Sequence, residues 1–406
     1  MRGCAGAAPR QTAARIAAAI DLPNTKHNAY GREGSTPCRF ERGNYRKGAV
    51  RVPRKGASVT DTARLLSIAT AVPAYRLDQN DVATRIRLAL GPRSPEIVRM
   101  LPTFVNTGIE SRYSCVPMSW YEEPHGWGER NEIYLRSSVD LLETATRDAL
   151  DRAGRSADEI DAVVVVSTSG IATPSLDALL MERMSLRRDV ARLPIFGLGC
   201  AGGTIGLSRA AMVAQAKPGR LVLFLVVELC ALSFRRDDFS KSNIVATALF
   251  GDGAAAALLQ SGSSGLAIRE SGEYTWADSL DIMGWDVTDD GLRAIFSRDI
   301  PSLVSTQFRD VALEFLKRHS LTPHDIDRFI CHPGGAKVLD ALENAFDLES
   351  GALVDARSVL RDYGNMSAAT VMFVLARALE SPEWRRGVIS ALGPGFTAAF
   401  ALVERS

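Results

Sequence analysis

Two stretches of the chain repeat one pattern, and this repetition limits the fold more than any other feature. "SADEIDAVVVVSTSGIATPSLDALLMERM" (Ser156–Met184) and "TPHDIDRFICHPGGAKVLDALENAF" (Thr322–Phe346) share one order of parts. Each runs from an acidic turn with Ile-Asp, through an apolar strand and a Gly loop, into a helix with Leu-Asp-Ala-Leu. Helical patterns precede both, "VDLLETATRDALDRAG" and "VSTQFRDVALEFLKRHS". Further on, "GLGCAGGTIGLSRAAMVAQ" parallels "DYGNMSAATVMFVLARALE". Asp161 precedes Cys200 by 39 positions and Asp327 precedes Asn365 by 38, so the register persists through a half-domain. Strands and helices alternate from "ARLLSIATAVPAYRLDQNDVATRIRLAL" onward, with a first helix capped by Asp78 or Asn80. The alternation predicts an α/β architecture, and the repeat predicts two related halves, 58–260 and 261–406.

Residues 1–57 stand apart. The first 55 carry 12 Lys/Arg against Asp21, Glu33 and Glu41, while the remainder carries 36 against 44 acids. Without sustained apolar periodicity, this basic segment reads as a mostly disordered extension with some transit-peptide character. The formal net charge of +1 gives no case for a nucleic-acid partner. The longest apolar runs, "LVLFLVVELCAL" and "AVVVV", are too short for a membrane span and read as buried strands. Six scattered cysteines, without zinc spacing, fit reduced thiols in a cytoplasm and no metal site.

Cys200 stands in "LPIFGLGCAGGTIGLSRA", at the start of a helix among small residues. Unpaired N–H groups and the helix dipole favour a thiolate there, and the glycines would let an acyl group approach the backbone. The same turn is equally compatible with a small buried cysteine. His332 ends a strand in "RFICHPGGAKVLD", and Asn365 opens a helix in "DYGNMSAAT", where a plain N-cap is the commonest use of Asn. By the repeat, Cys200 and Asn365 hold equivalent places at two helix starts. Together, a Cys nucleophile, a His that holds its proton and an Asn amide donor suit acyl transfer. They would also stabilise the enolate left when a malonyl thioester loses carbon dioxide, so no metal or organic cofactor is required.

These motifs, with "ATALFGDGAAAALL", "GLRAIFSRDIPSLV" and "LGPGF", resemble the type III polyketide synthases of the thiolase superfamily over roughly residues 60–406. "NTGIESRY" and "VVELCALSF" look most like the bacterial alkylresorcinol and alkylpyrone synthases. The resemblance implies a five-layered αβαβα homodimer with Cys200, His332 and Asn365 as catalytic residues. It implies an acyl-CoA starter and iterative malonyl-CoA extension. It makes Phe250 the aromatic gatekeeper and places Ala294 where plant members have a second Phe, which suggests a more open cavity. Cys230 and Ser233 fall at cavity-lining positions, and Thr173 falls where plant members reach across the dimer. Trp285 is a further candidate for the cavity wall, and Gly393 and Pro394 belong to a loop on its floor. Of the family's cations for CoA, only Arg99 falls in register, with Arg112 nearby, which leaves an acyl carrier protein as a possible donor. Competing readings are an initiating β-ketoacyl synthase making a single condensation, a cysteine hydrolase, and a non-catalytic acyl-binding protein.

Overall fold

The computed structural model describes residues 62–91, 95–297 and 299–405, so the basic extension at 1–57 lies outside the described residues. The strands are β1 (Ala63–Ala71), β2 (Tyr75–Asp78), β3 (Ser111–Ser114), β4 (Ile160–Val166), β5 (Ala191–Ile195), β6 (Leu221–Leu229) and β7 (Asp252–Ser261). They continue with β8 (Leu266–Thr275), β9 (Met283–Thr288), β10 (Gly291–Phe296), β11 (Arg328–Cys331), β12 (Arg386–Gly393) and β13 (Thr397–Glu404). Nine of them form one mixed sheet in the order β11-β12-β13-β8-β1-β7-β6-β4-β5. β4 and β6 are apolar runs interrupted by Asp161 and Glu228, because helices cover both of their faces.

The repeat is visible in the pairing. In the first half β1 is antiparallel to β7, β7 antiparallel to β6, and β6 parallel to β4. In the second half β8, β13, β12 and β11 follow the same order and the same directions. Among the described residues two pairs, Arg64 with Ala267 and Leu65 with Leu266, join the two half-sheets. Local chemistry repeats as well. Ser156 with Glu159 and Thr322 with Asp325 form matching capping boxes. The repeated Ile-Asp has a job in each half: Asp161 accepts from the Leu221 amide at 2.9 Å, and Asp327 accepts from the Arg386 amide at 2.8 Å. Each carboxylate therefore ties its strand to the neighbouring parallel one.

Five layers result. The helix Trp127–Ala153, closed by Gly154 at φ 61°, covers the outer face of β1, β6 and β7. The helices Gly202–Ala216 and Thr370–Glu380 form the middle layer and touch both half-sheets. The helix Arg309–Arg318 lies against β13 on the far side, with Phe315 stacked on Phe400. The middle helices meet closely. A Cβ on Gly203 would stand 2.3 Å from the Ala368 carbonyl oxygen, so only glycine fits there. Outside the layers, Asp78 is the cap of the helix Gln79–Leu90, accepting from the Asn80 and Asp81 amides. The hairpin β9–β10 stands apart from the main sheet.

Candidate active site

Each middle helix is entered through one 3-10 turn, Gly199–Ala201 in the first half and Ser367–Ala369 in the second. Cys200 is the second residue of its turn, whereas Asn365 stands two residues before the matching one. The two are therefore close counterparts rather than equivalent positions. The glycines around Cys200 serve protein packing instead of ligand approach. A Cβ on Gly199 would meet Pro394 at 2.6 Å, and one on Gly202 would meet Val166 at 2.7 Å. Gly393 is held the same way, 2.6 Å from the Leu198 carbonyl oxygen at the Cβ position. Gly393 and Pro394 thus pack against the Cys200 turn.

His332 follows β11 and extends the ladder to β12, its amide donating to the Ser390 carbonyl at 2.8 Å. Pro333, Gly334 and Gly335 then turn the chain into the helix Ala336–Ala345. Asn365 is fixed through its backbone: its amide donates to Leu249, and its carbonyl accepts from Gly251. Its side-chain Oδ1 accepts from the Ser367 amide at 2.8 Å. The capping role and a donor role are compatible, because Oδ1 caps the turn while the amide's donor side serves the Cys200 sulfur. Cys200, His332 and Asn365 share the wall of one cavity of about 320 Å³, to which both halves contribute.

Burial dominates the electrostatics. It pushes the Cys200 thiol up to about 12; Ser367 and Asn365 bond to the sulfur and oppose the rise, while the Glu228 charge adds to it. Burial also pulls the His332 ring down to about 4, and neither ring nitrogen has a hydrogen-bond partner. The thiolate expected from the helix start is thus outweighed, and both groups are neutral in this state. Glu228, fully buried on β6, is raised by burial to about 8. Its Oε2 accepts from the Thr168 amide at 3.0 Å. In the sequence it was only a charge inside an apolar run, and its place beside Cys200 comes from the tertiary fold.

A second cavity of about 360 Å³, mostly apolar, lies on the other side of the helix Lys241–Leu249. Val245 and Leu249 face the triad cavity, while Ala246 and Phe250 face the second one, as i, i+4 pairs on opposite sides. Phe250 packs at 5.5 Å, tilted by 58°, against Phe296, which lines the triad cavity, so the two rings complete the partition. Cys230 and Ser233 line the apolar cavity with Leu77, Val82 and Ile86.

Other expected positions fall elsewhere. Ala294 is buried against Phe250 but opens no space, because Phe296, two residues along the same strand, supplies an aromatic ring. Trp285 lies on β9 opposite Ala294 and packs on Phe250, away from the triad cavity wall. Thr173 is exposed and lines neither cavity. Arg99 is exposed and lines neither cavity as well. Arg112 is buried and donates to the Thr247 and Phe250 carbonyls and to Gln79. It braces the partition instead of facing the triad. Glu122 pairs with Arg85 at the exposed edge of the apolar cavity.

The chalcone and stilbene synthase N-terminal domain matches residues 52–263, and the C-terminal domain of the same family matches 277–405. The chain belongs to the type III polyketide synthases. A chalcone synthase-like protein of Bacillus subtilis (strain 168) is 40% identical over 357 residues, spanning 84% of this chain and 98% of that one. The 1,3,6,8-tetrahydroxynaphthalene synthase of Streptomyces peucetius subsp. caesius is 38% identical, spanning 83% and 92%. The crystal structure of the Streptomyces coelicolor A3(2) tetrahydroxynaphthalene synthase superposes with a TM-score of 0.80 at 27% identity, over 84% of this chain and 99% of that one. This type III polyketide synthase is thus an acyltransferase-type enzyme with the thiolase-like fold. Among its described residues no helix is long and apolar enough to cross a membrane.

Proposed function

We propose that this synthase loads a medium or long fatty acyl group from CoA onto Cys200, extends it with malonyl-CoA, and cyclises it to an alkylresorcinol or alkylpyrone. The observation that carries the starter class is the apolar cavity behind Phe250, next to the triad cavity and of a size suited to an organic ligand. The Streptomyces relatives are named for tetrahydroxynaphthalene, which has no alkyl tail. The apolar cavity supports a tail here.

In the loading step the Cys200 sulfur attacks the thioester carbonyl, its proton passes to His332, and the CoA thiolate leaves and takes that proton. In extension the malonyl carboxylate departs as carbon dioxide and leaves its electron pair as an enolate. The ring N–H of His332 and the Nδ2 hydrogens of Asn365 would donate to the enolate oxygen. The enolate carbon then attacks the acyl carbonyl on Cys200, and the C–S bond breaks to return the thiolate. Nothing is oxidised or reduced, so the reading needs no metal or organic cofactor. A reduced Cys200 suits the cytoplasm. A homodimer belongs to the same reading. Its support is β5, an exposed sheet edge that carries Leu193 and is followed by Phe196, 57% exposed.

The test is mass spectrometry of products from acyl-CoA starters of graded length with malonyl-CoA, for the wild type and Cys200→Ala. Alkylated tri- or tetraketide products that vanish in the variant are expected. Polyketide formation that persists in Cys200→Ala removes the nucleophile assignment, and a single C2 extension favours an initiating β-ketoacyl synthase.

A further inference from the structure

The wall of the triad cavity carries positive charge at one place. Among its described lining residues Lys337 is the single Lys or Arg, with Thr103, Asn106 and Ser297 as polar neighbours on the same wall. Lys337 is exposed, and it joins none of the ion pairs found among the described residues. It stands in the first turn of the helix Ala336–Ala345, which begins at Gly335 with no side-chain cap. The free amides and dipole of such a helix start favour an anion. His332 on the same wall is a second pointer to a ligand, since it is buried with both ring nitrogens unpartnered. Neither Arg99 nor Arg112 reaches this wall.

A thioester presented to Cys200 along this wall hangs on a phosphopantetheine arm. Its phosphate is anionic whether the arm belongs to CoA or to an acyl carrier protein. We propose that Lys337 binds this phosphate and is the residue that selects phosphopantetheine donors over simple thioesters. The inference rests on the acyl-transfer reading above.

The experiment compares wild type, Lys337→Ala and Lys337→Arg with three donors: malonyl-CoA, malonyl-acyl carrier protein and malonyl-N-acetylcysteamine, which has no phosphate. For Lys337→Ala, the KM of the phosphate-bearing donor that the enzyme uses rises about five- to tenfold, with kcat within about twofold. The difference shrinks at high salt, and Lys337→Arg recovers most of it. The KM of the N-acetylcysteamine thioester stays in place. A rise confined to malonyl-CoA or to the carrier-protein donor identifies the source of the arm. An unchanged KM for both phosphate-bearing donors overturns the proposal, as does an equal rise for the N-acetylcysteamine thioester. Calorimetric titration of CoA itself into the same variants reads Lys337 without turnover. A wild type that makes no polyketide therefore counts against the function alone, whereas CoA bound equally by wild type and Lys337→Ala counts against Lys337.

Discussion

At Cys200 and His332 the same burial moves two groups in opposite directions, the thiol up to about 12 and the ring down to about 4. Proton transfer from sulfur to ring would create two opposite charges that solvate each other, so the pair would titrate as a unit. His332→Gln removes the proton acceptor and leaves a half-buried thiol. Its alkylation by iodoacetamide at pH 7 should be at least about tenfold slower than in the wild type, and should keep rising through pH 9. Mass spectrometry of the Cys200 peptide gives both rates, and equal rates would mean that His332 does not hold the proton. Glu228 makes a second, separable prediction. Its carboxyl is raised to about 8 in the fold, above its ordinary value of 4.5. The folded state therefore binds the extra proton between these values, and stability is full below about pH 4.5 and falls as pH rises through 8. Glu228→Gln should flatten that slope, which is worth no more than about 5 kcal/mol. Urea unfolding at pH 5 and pH 8.5 checks it: the variant gains on the wild type only at the higher pH.

The elements that place these residues are the two 3-10 turns and the helices behind them, and their spacing depends on single glycines. Gly203→Ala puts a methyl group 2.3 Å from the Ala368 carbonyl oxygen, which is backbone and cannot swing aside. The variant should lose about 1–3 kcal/mol and lose condensation activity with it, because the Ser367–Ala369 turn is pushed from Cys200. Gly128→Ala, in the helix Trp127–Ala153 with open space at its Cβ, is the control. It should be neutral or gain up to about 1 kcal/mol. Thermal melts of the two variants decide this. The same elements show what was legible in the chain. Ile-Asp at a strand start was readable twice because it recurs in one local order after a capping-box turn, although the amides that Asp161 and Asp327 accept from, Leu221 and Arg386, lie on the next strand and were not readable. Cys200, His332 and Asn365 were readable because each sits where an element begins or ends. The sequence also placed Cys230, Ser233 and Phe250 at a cavity wall. Ala294 packs against Phe250 and Arg112 lines the same apolar cavity, and the sequence reading passed over Phe296, Lys337 and Glu228. Whether those side chains meet a cavity, a backbone carbonyl or Cys200 depends on neighbours far away in the chain. Arg112, for instance, is claimed by the Thr247 and Phe250 carbonyls.

Across the whole molecule the two cavities differ in origin. The triad cavity takes Cys200 from one half and His332 and Asn365 from the other, whereas the apolar cavity is lined entirely by residues of the first half. Acyl transfer therefore needs the duplicated fold intact, while the space for a tail can be altered within one half. Ala246 is the place to do so: it is buried, faces only the apolar cavity, and packs beside Cys230 and Phe250. Ala246→Phe fills part of that space without adding a polar group. If the tail of the starter lies there, kcat/KM for long acyl-CoA starters should fall about tenfold or more. That corresponds to losing the burial of roughly two methylene groups at about 0.8 kcal/mol each. Short starters should change by less than about threefold, because the triad cavity and Lys337 lie on the other side of the partition. Malonyl-CoA consumption across a graded set of starters measures both, with a thermal melt of the variant as the control for overpacking. A uniform loss over all chain lengths, or long starters accepted as before, would place the tail somewhere other than behind Phe250.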